Sequence, residues 1–155
     1  MKVTIIKYNA GNIRSVAFAL ERLNIEFSIT DNHEEIQSAD KVIFPGVGEA
    51  SNTMNYLKSH KLDNVIKELK QPVLGICLGM QLMCSFSEEN NTPCLGIFEE
   101  QVKLFKPLSN EKVPHMGWNS LTLTNGWLDV QVNGQYVYFV HSYYVECTNT
   151  ENVLA

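Results

Sequence analysis

The sequence predicts an α/β fold, a mostly parallel sheet with helices on both faces and antiparallel strands appended after it. Three observations predict this. Val3 to Thr30 reads strand, helix, strand with short links, the signature of a parallel βαβ unit. Pro72 to Met83 reads strand, sharp turn, helix. Beyond Ser87 the helical periodicity stops and β-prone pieces take over.

Taken in order, Val3 to Tyr8 is a β-rich apolar run, and Asn9-Ala10-Gly11-Asn12 is turn chemistry that opens a helix. Ile13, Val16, Ala17, Leu20 and Leu23 then recur at helical spacing and form one face to set against a sheet. Ile25 to Thr30 is the second strand. His33 to Ala39 is a short polar helix or turn, and Lys41 to Phe44 is a third strand ending at Pro45-Gly46-Val47-Gly48. Helices follow over Ala50 to Ser59 and Leu62 to Lys70, and this half of the chain has strands buried on both faces.

The central stretch is Pro72-Val73-Leu74-Gly75-Ile76-Cys77-Leu78-Gly79-Met80-Gln81-Leu82-Met83. Gly75 and Gly79 flank Cys77 at minus two and plus two, the arrangement of a nucleophile elbow, where side chains would collide as the chain reverses. The thiol is expected at the tip of the turn, near the start of the helix beginning at Leu78, where backbone N–H groups favour thiolate. A buried packing cysteine is the alternative for Gly-x-Cys-x-Gly taken alone.

After this helix, Ser87 to Pro93 reads as a polar loop. Gln101 to Phe105, Trp118 to Thr124, Val130 to Val132, Tyr136 to His141 and Tyr143 to Thr148 read as strands appended to the sheet. The closing run Asn152-Val153-Leu154-Ala155 begins an element without finishing it, so an incomplete carboxyl end is expected.

The 155 residues fit a single domain, 1–155, with 45% hydrophobic and 19% charged residues. A net charge of −5 with no basic cluster argues against nucleic acid. The apolar runs are too short for a signal peptide or a membrane span, and a cytoplasmic protein is expected. The cysteines Cys77, Cys84, Cys94 and Cys147 make no Cys-x-x-Cys pair and no metal-ligand spacing with the histidines, so reduced thiols, no metal and no cofactor are expected.

Gly46-Val47-Gly48-Glu49-Ala50-Ser51 follows a strand and precedes a helix, but Ser51 stands where a dinucleotide fingerprint needs its third glycine. An oxyanion strand is the other functional reading, a Gly-flanked peptide turning an N–H toward the site beside the Leu78 N–H. A plain glycine turn remains open beside it.

The string Gly-Ile-Cys-Leu-Gly-Met-Gln, residues 75–81, closely resembles the nucleophile segment of the class I glutamine amidotransferases, a flavodoxin-like fold. Pro45-Gly46-Val47-Gly48, Pro114-His115-Met116-Gly117-Trp118-Asn119 and Tyr138-Phe139-Val140-His141-Ser142-Tyr143 resemble the branch that forms the glutaminase subunits of imidazole glycerol phosphate synthases. The resemblance covers the whole chain. It implies a glutaminase of histidine biosynthesis with Cys77 as nucleophile, Val47, Gly48 and Leu78 as oxyanion donors, and Gln81, His141, Ser142 and Tyr143 around the glutamine. It further implies a β/α-barrel cyclase partner that receives the ammonia, with Asn12, Met116 and Trp118 as interface candidates.

The family also implies a general base from a segment of Phe-His-Pro-Glu type, which these residues lack. The base is therefore expected beyond Ala155, and the chain alone is expected to be inactive. His33 reads as a solvated helix start, His60 as the exposed end of an amphipathic helix, and His115 as part of a loop string that the family uses for subunit contact. His141 alone is expected on a strand that approaches the site, as a hydrogen-bonded structural histidine. Two alternatives stand beside the glutaminase: a catalytically incompetent binding module, and another cysteine-elbow thiol hydrolase of the same architecture.

Overall fold

The computed structural model of the chain describes every residue except 10–11, 108–111, 124–125 and 127. The expected Ala10-Gly11 turn and the Thr124 end of a strand lie outside the described residues. The β-rich runs form β1 (Val3–Ile6), β2 (Phe27–Thr30), β3 (Lys41–Phe44) and β4 (Val73–Gly75). They assemble into one parallel sheet in the order β2-β1-β3-β4, with Val3 opposite Phe27 and Lys41, and Phe44 opposite Gly75. Strand β1 is buried along its whole length, whereas β2 and β4 are the edges.

Helices cover both faces. On one, α1 (Ile13–Arg22) sets Ala17 and Leu20 on Val3, Ile5 and Ile43, with Ile13 and Val16 packed beside them. The other face, carrying Ile6, Val42 and Phe44, is covered by α2 (His33–Gln37), α3 (Ala50–Ser59), α4 (Leu62–Glu68) and α5 (Leu78–Met83) through Ile36, Met54, Leu57, Leu62, Ile66 and Leu82. Leu23, read as the last residue of the α1 face, is instead 67% exposed, because it is the residue on which the helix stops.

Side chains fix the helix starts, as orphan N–H groups require. Asn12 Oδ1 accepts from Ser15 N at 3.3 Å at the start of α1, and Asn32 Oδ1 from Glu35 N at 3.0 Å at the start of α2. Glu49 caps α3 with both oxygens, from Ser51 N at 2.7 Å and Asn52 N at 2.9 Å.

The second half pairs within itself rather than extending the parallel sheet. β5 (Phe86–Ser87), β6 (Thr92–Pro93), β7 (Gln101–Leu104) and β10 (Tyr143–Glu146) make a sheet in the order β10-β7-β5-β6, antiparallel but for β5 with β7. β8 (His115–Ser120) and β9 (Tyr136–His141) form a separate antiparallel ribbon. Two expectations are corrected. Ser87 to Pro93 is not simply a loop but a tight hairpin, closed by Asn90 and Asn91 at φ 52 and 48. Val130–Val132 is a 3-10 turn and not a strand, since Asp129 Oδ1 accepts from Gln131 N at 2.9 Å and the local turn overrides β-propensity.

Candidate active site

Cys77 stands between β4 and α5 at φ 53, ψ −116, a conformation that costs a residue with a Cβ appreciable strain. The ladder runs on past β4, with Ile76 N donating to Phe44 O at 3.0 Å, and the chain reverses at once, with Gln81 N donating to Cys77 O at 3.1 Å. Both flanking glycines are required by space. A Cβ on Gly79 would lie 1.9 Å from Phe44 O, and one on Gly75 would lie 2.7 Å from Met80 Cα. The two backbones meet with no room between them, so the thiol is thrown outward, and Cys77 is exposed.

It opens onto a cavity of about 410 Å³. Every residue expected at the chemistry lines it: Cys77, Val47, Gly48, Leu78, Gln81, His141, Ser142 and Tyr143. Gln81 Nε2 donates to Tyr143 O at 3.1 Å, tying α5 to the start of β10. His141 Nδ1 donates to the same carbonyl at 2.7 Å, since a carbonyl only accepts. The Gln81 amide oxygen has no partner among the described residues, which leaves it available to a ligand.

Val47 and Gly48 hold their N–H groups unpaired among the described residues, with Gly48 at φ 124. The Leu78 N–H donates to Gly46 O at 3.3 Å. An oxyanion entering the site would therefore compete with that carbonyl for the Leu78 donor, while the Val47–Gly48 segment has donors to offer.

Three lining residues had no role in the sequence reading: Glu89, Pro114 and Val140. Glu89 Oε2 accepts from Ala50 N at 2.8 Å, and burial raises its carboxyl pKa, with the Ala50 hydrogen bond opposing and the Glu49 charge adding to it. In sequence it sits in an acidic, Asn-rich run that reads as solvated loop; only the hairpin turns it inward.

The interface candidates separate. Met116 and Trp118, 61% and 66% exposed, face Val140 and Tyr138 across the ribbon and share one face with them. Asn12 stands apart on another element, its side chain capping α1. The other ribbon face carries His115, Phe139 and His141, which pack together, and the two histidines also meet Phe105, itself stacked on Tyr144 at 4.8 Å.

His33 opens α2 and His60 closes α3, as expected, whereas His115, expected in a loop, lies on β8 with its ring 5.7 Å from that of His141. His33 Nε2 bonds His60 O at 3.0 Å, His60 stacks on Tyr56 at 3.9 Å, and His115 Nε2 bonds Asn119 Oδ1 at 2.9 Å. Among the described residues no group of three or more His, Cys, Asp and Glu side chains is placed to hold a metal ion. No helix among them is long and apolar enough to cross a membrane.

Comparison with known proteins places the chain among similar sequences and folds. The chain is 60% identical over 147 residues to the imidazole glycerol phosphate synthase subunit HisH of Bacteroides fragilis, covering 94% of this chain and 75% of that protein. It is 60% identical over 147 residues to the HisH subunit of Bacteroides thetaiotaomicron, with the same shares, and 44% identical over 149 residues to HisH 2 of Legionella pneumophila, covering 95% and 75%. A crystal structure of a glutamine amidotransferase shares the fold at a TM-score of 0.70 and 16% identity, covering 94% of this chain and 75% of that one. The family model "Glutamine amidotransferase class-I" matches residues 4–154, and the chain belongs to that family.

Proposed function

We propose that this chain is one amidotransferase domain, the cytoplasmic glutaminase subunit of an imidazole glycerol phosphate synthase in histidine biosynthesis, which passes ammonia to a β/α-barrel cyclase subunit. The observation that carries the proposal is Cys77, held at φ 53 on a turn where neither flanking glycine can bear a side chain, at the mouth of a cavity lined by Gln81, Glu89, Ser142 and Tyr143. The names of the relatives support the same reading.

Cys77 Sγ attacks the glutamine carboxamide carbon. The oxyanion so formed takes N–H donors from Leu78 and the Val47–Gly48 segment. As the C–N bond breaks, the thiol proton leaves on ammonia, and water then converts the γ-glutamyl thioester to glutamate. Gln81, His141, Ser142 and Tyr143 surround the amino-acid head group, and the Glu89 carboxylate pairs with its ammonium.

No histidine is hydrogen-bonded to Cys77 among the described residues. A positioned acid or base contributes about 10² to 10⁴-fold, so the chain by itself is a slow glutaminase. The apolar ribbon face of Met116, Trp118, Tyr138 and Val140 is the surface for the barrel, with Asn12 as a further contact. Val140 belongs both to this face and to the cavity wall, so the surface begins where ammonia is released.

The test follows glutamine-dependent ammonia release and thiol labelling together. Release should be very slow for the chain alone and abolished by Cys77→Ala. A glutamine-derived chloroketone should alkylate Cys77 ahead of the other thiols. Burial pushes the Cys84 thiol up to about 12 and Cys94 to about 11, and burial with the Glu100 charge raises exposed Cys147 as well. Equal labelling of all four thiols, or release unchanged in Cys77→Ala, would overturn the reading.

A further inference from the structure

Tyr8 follows β1 and is buried, with its ring 5.6 Å from that of Phe44. It does not line the cavity. Its hydroxyl donates to the carbonyl of Pro45, the first residue of the Pro45-Gly46-Val47-Gly48 segment. Gly46 is then gripped from both sides: a Cβ there would fall 2.8 Å from the Tyr8 hydroxyl, 2.8 Å from Leu78 Cβ and 2.5 Å from Gly79 N. On the elbow side, Leu78 N donates to Gly46 O at 3.3 Å. Beyond Gly46 the grip ends, since Val47 and Gly48 are exposed and their N–H groups are unpaired among the described residues.

The segment thus has a fixed root and a free tip. We infer that Tyr8 is a positioning residue for the oxyanion donors, its hydroxyl pinning the Pro45 carbonyl so that the Val47–Gly48 N–H groups are aimed at the oxygen on the carbon bonded to Cys77. The inference rests on the glutaminase reading above and extends it to a residue that touches no substrate. Burial, and after it the nearby charge of Cys77, raises the Tyr8 phenol pKa, so Tyr8 remains a neutral donor and takes no proton from the thiol. Its effect falls on the tetrahedral state, because only there does an oxyanion need donors already in place.

The test compares two ligands of the 155-residue chain. A glutamine-derived γ-aldehyde adds Cys77 Sγ to its carbonyl carbon, the thiol proton passing to the oxygen, and the resulting thiohemiacetal places that oxygen in the oxyanion position. Glutamate binds the same head-group site without that step. With a ¹³C-labelled aldehyde carbon, the thiohemiacetal is read directly by NMR. Tyr8→Phe keeps the ring against Phe44 and removes the hydroxyl; it should weaken the aldehyde about five- to tenfold, as loss of one ordering hydrogen bond does, and leave glutamate within about twofold.

A second variant alters no side chain. Glycolic acid in place of Gly46 turns the Pro45 carbonyl into a weaker ester acceptor and should shift the aldehyde in the same direction. Unchanged aldehyde binding in both variants would overturn the inference, and so would equal weakening of aldehyde and glutamate, which is what mere support of the fold would produce. Cys77→Ala separates the two readings. Were it to keep the thiohemiacetal signal, or were the native chain to form none, the glutaminase reading would fail whatever Tyr8 does.

Discussion

Glu89 lines the cavity beside Cys77 without leaving a trace in the sequence. Its carboxylate lies in the same cavity as Cys77 and Gln81, with one oxygen engaged by Ala50 N and the other without a partner among the described residues. An amino-acid ammonium placed there gains a charge-assisted hydrogen bond, of the kind that contributes about 1.5 to 3 kcal/mol. Glu89→Gln, measured by calorimetry on a Cys77→Ala background, should therefore raise the Kd for glutamine about tenfold or more. The pH dependence carries the sign. Burial raises the Glu89 pKa above the ordinary 4.5, so in the parent protein glutamine should bind less tightly as pH falls through that raised value, and the Gln variant should lose this dependence. A Kd that moved with pH alike in both would remove Glu89 from the site. The elbow, by contrast, was legible: Gly75, Cys77 and Gly79 answer to a local steric demand that any strand-to-helix reversal imposes. Glu89 and Tyr8 act across space on partners 39 and 37 residues away in sequence, and no local pattern records such distances.

At the scale of the element, α3 shows a cap that was not read as one. The stretch Gly46 to Ser51 reads as oxyanion strand or plain turn and fails as a dinucleotide fingerprint, yet Glu49 also holds the α3 terminus, accepting from Ser51 N, Asn52 N and, at 2.8 Å, Asn90 Nδ2. That last bond ties α3 to the hairpin carrying Glu89. Burial alone would raise the Glu49 pKa, but the Asn52, Ser51 and Asn90 hydrogen bonds together outweigh it and hold the carboxyl at about 2, against an ordinary 4.5. A depressed carboxylate pKa stabilises the fold above the unfolded value and loses that contribution as pH falls toward the folded one. In urea unfolding, Glu49→Ala should cost about 1 kcal/mol at pH 7, the usual loss for a helix cap. The difference from the parent should shrink between pH 4.5 and pH 2. A gap that stays constant over that range would mean the charge contributes nothing. Elements of the first half were legible because short apolar runs and stretches of period 3.6 follow one another cleanly. In the second half, Val130–Val132 looked β-prone and yielded to the Asp129 turn, and β5 and β6 are two residues long, too short to leave a period.

The whole molecule is unequally covered. Among the described residues, one face of the parallel sheet lies under α2, α3, α4 and α5, the other under α1 alone. Leu74 pairs with Ile43 in register and shares its face, but lies on the edge strand β4 and is 55% exposed, with Ile76 two residues on. A second apolar surface, the ribbon face of Met116, Trp118, Tyr138 and Val140, lies on a separate sheet. At about 25 cal/mol for each Å² of apolar area, both should attract a hydrophobic dye, and the exposed β4 edge also invites pairing between chains. The surfaces differ in what should quench them. A barrel subunit that docks on the ribbon should remove the ribbon's share of dye binding and leave that of β4. Leu74→Ser should remove the β4 share and reduce concentration-dependent association, at a cost to stability below that of a buried leucine because half the side chain is already in water. Trp118→Ser should lower dye binding without affecting association through β4, and should weaken capture of the barrel. If Leu74→Ser changed neither dye signal nor association, the uncovered sheet face would not be the sticky surface of this chain. If the barrel quenched the β4 share and spared that of the ribbon, the docking surface would lie on the sheet, and Met116 and Trp118 would lose their role.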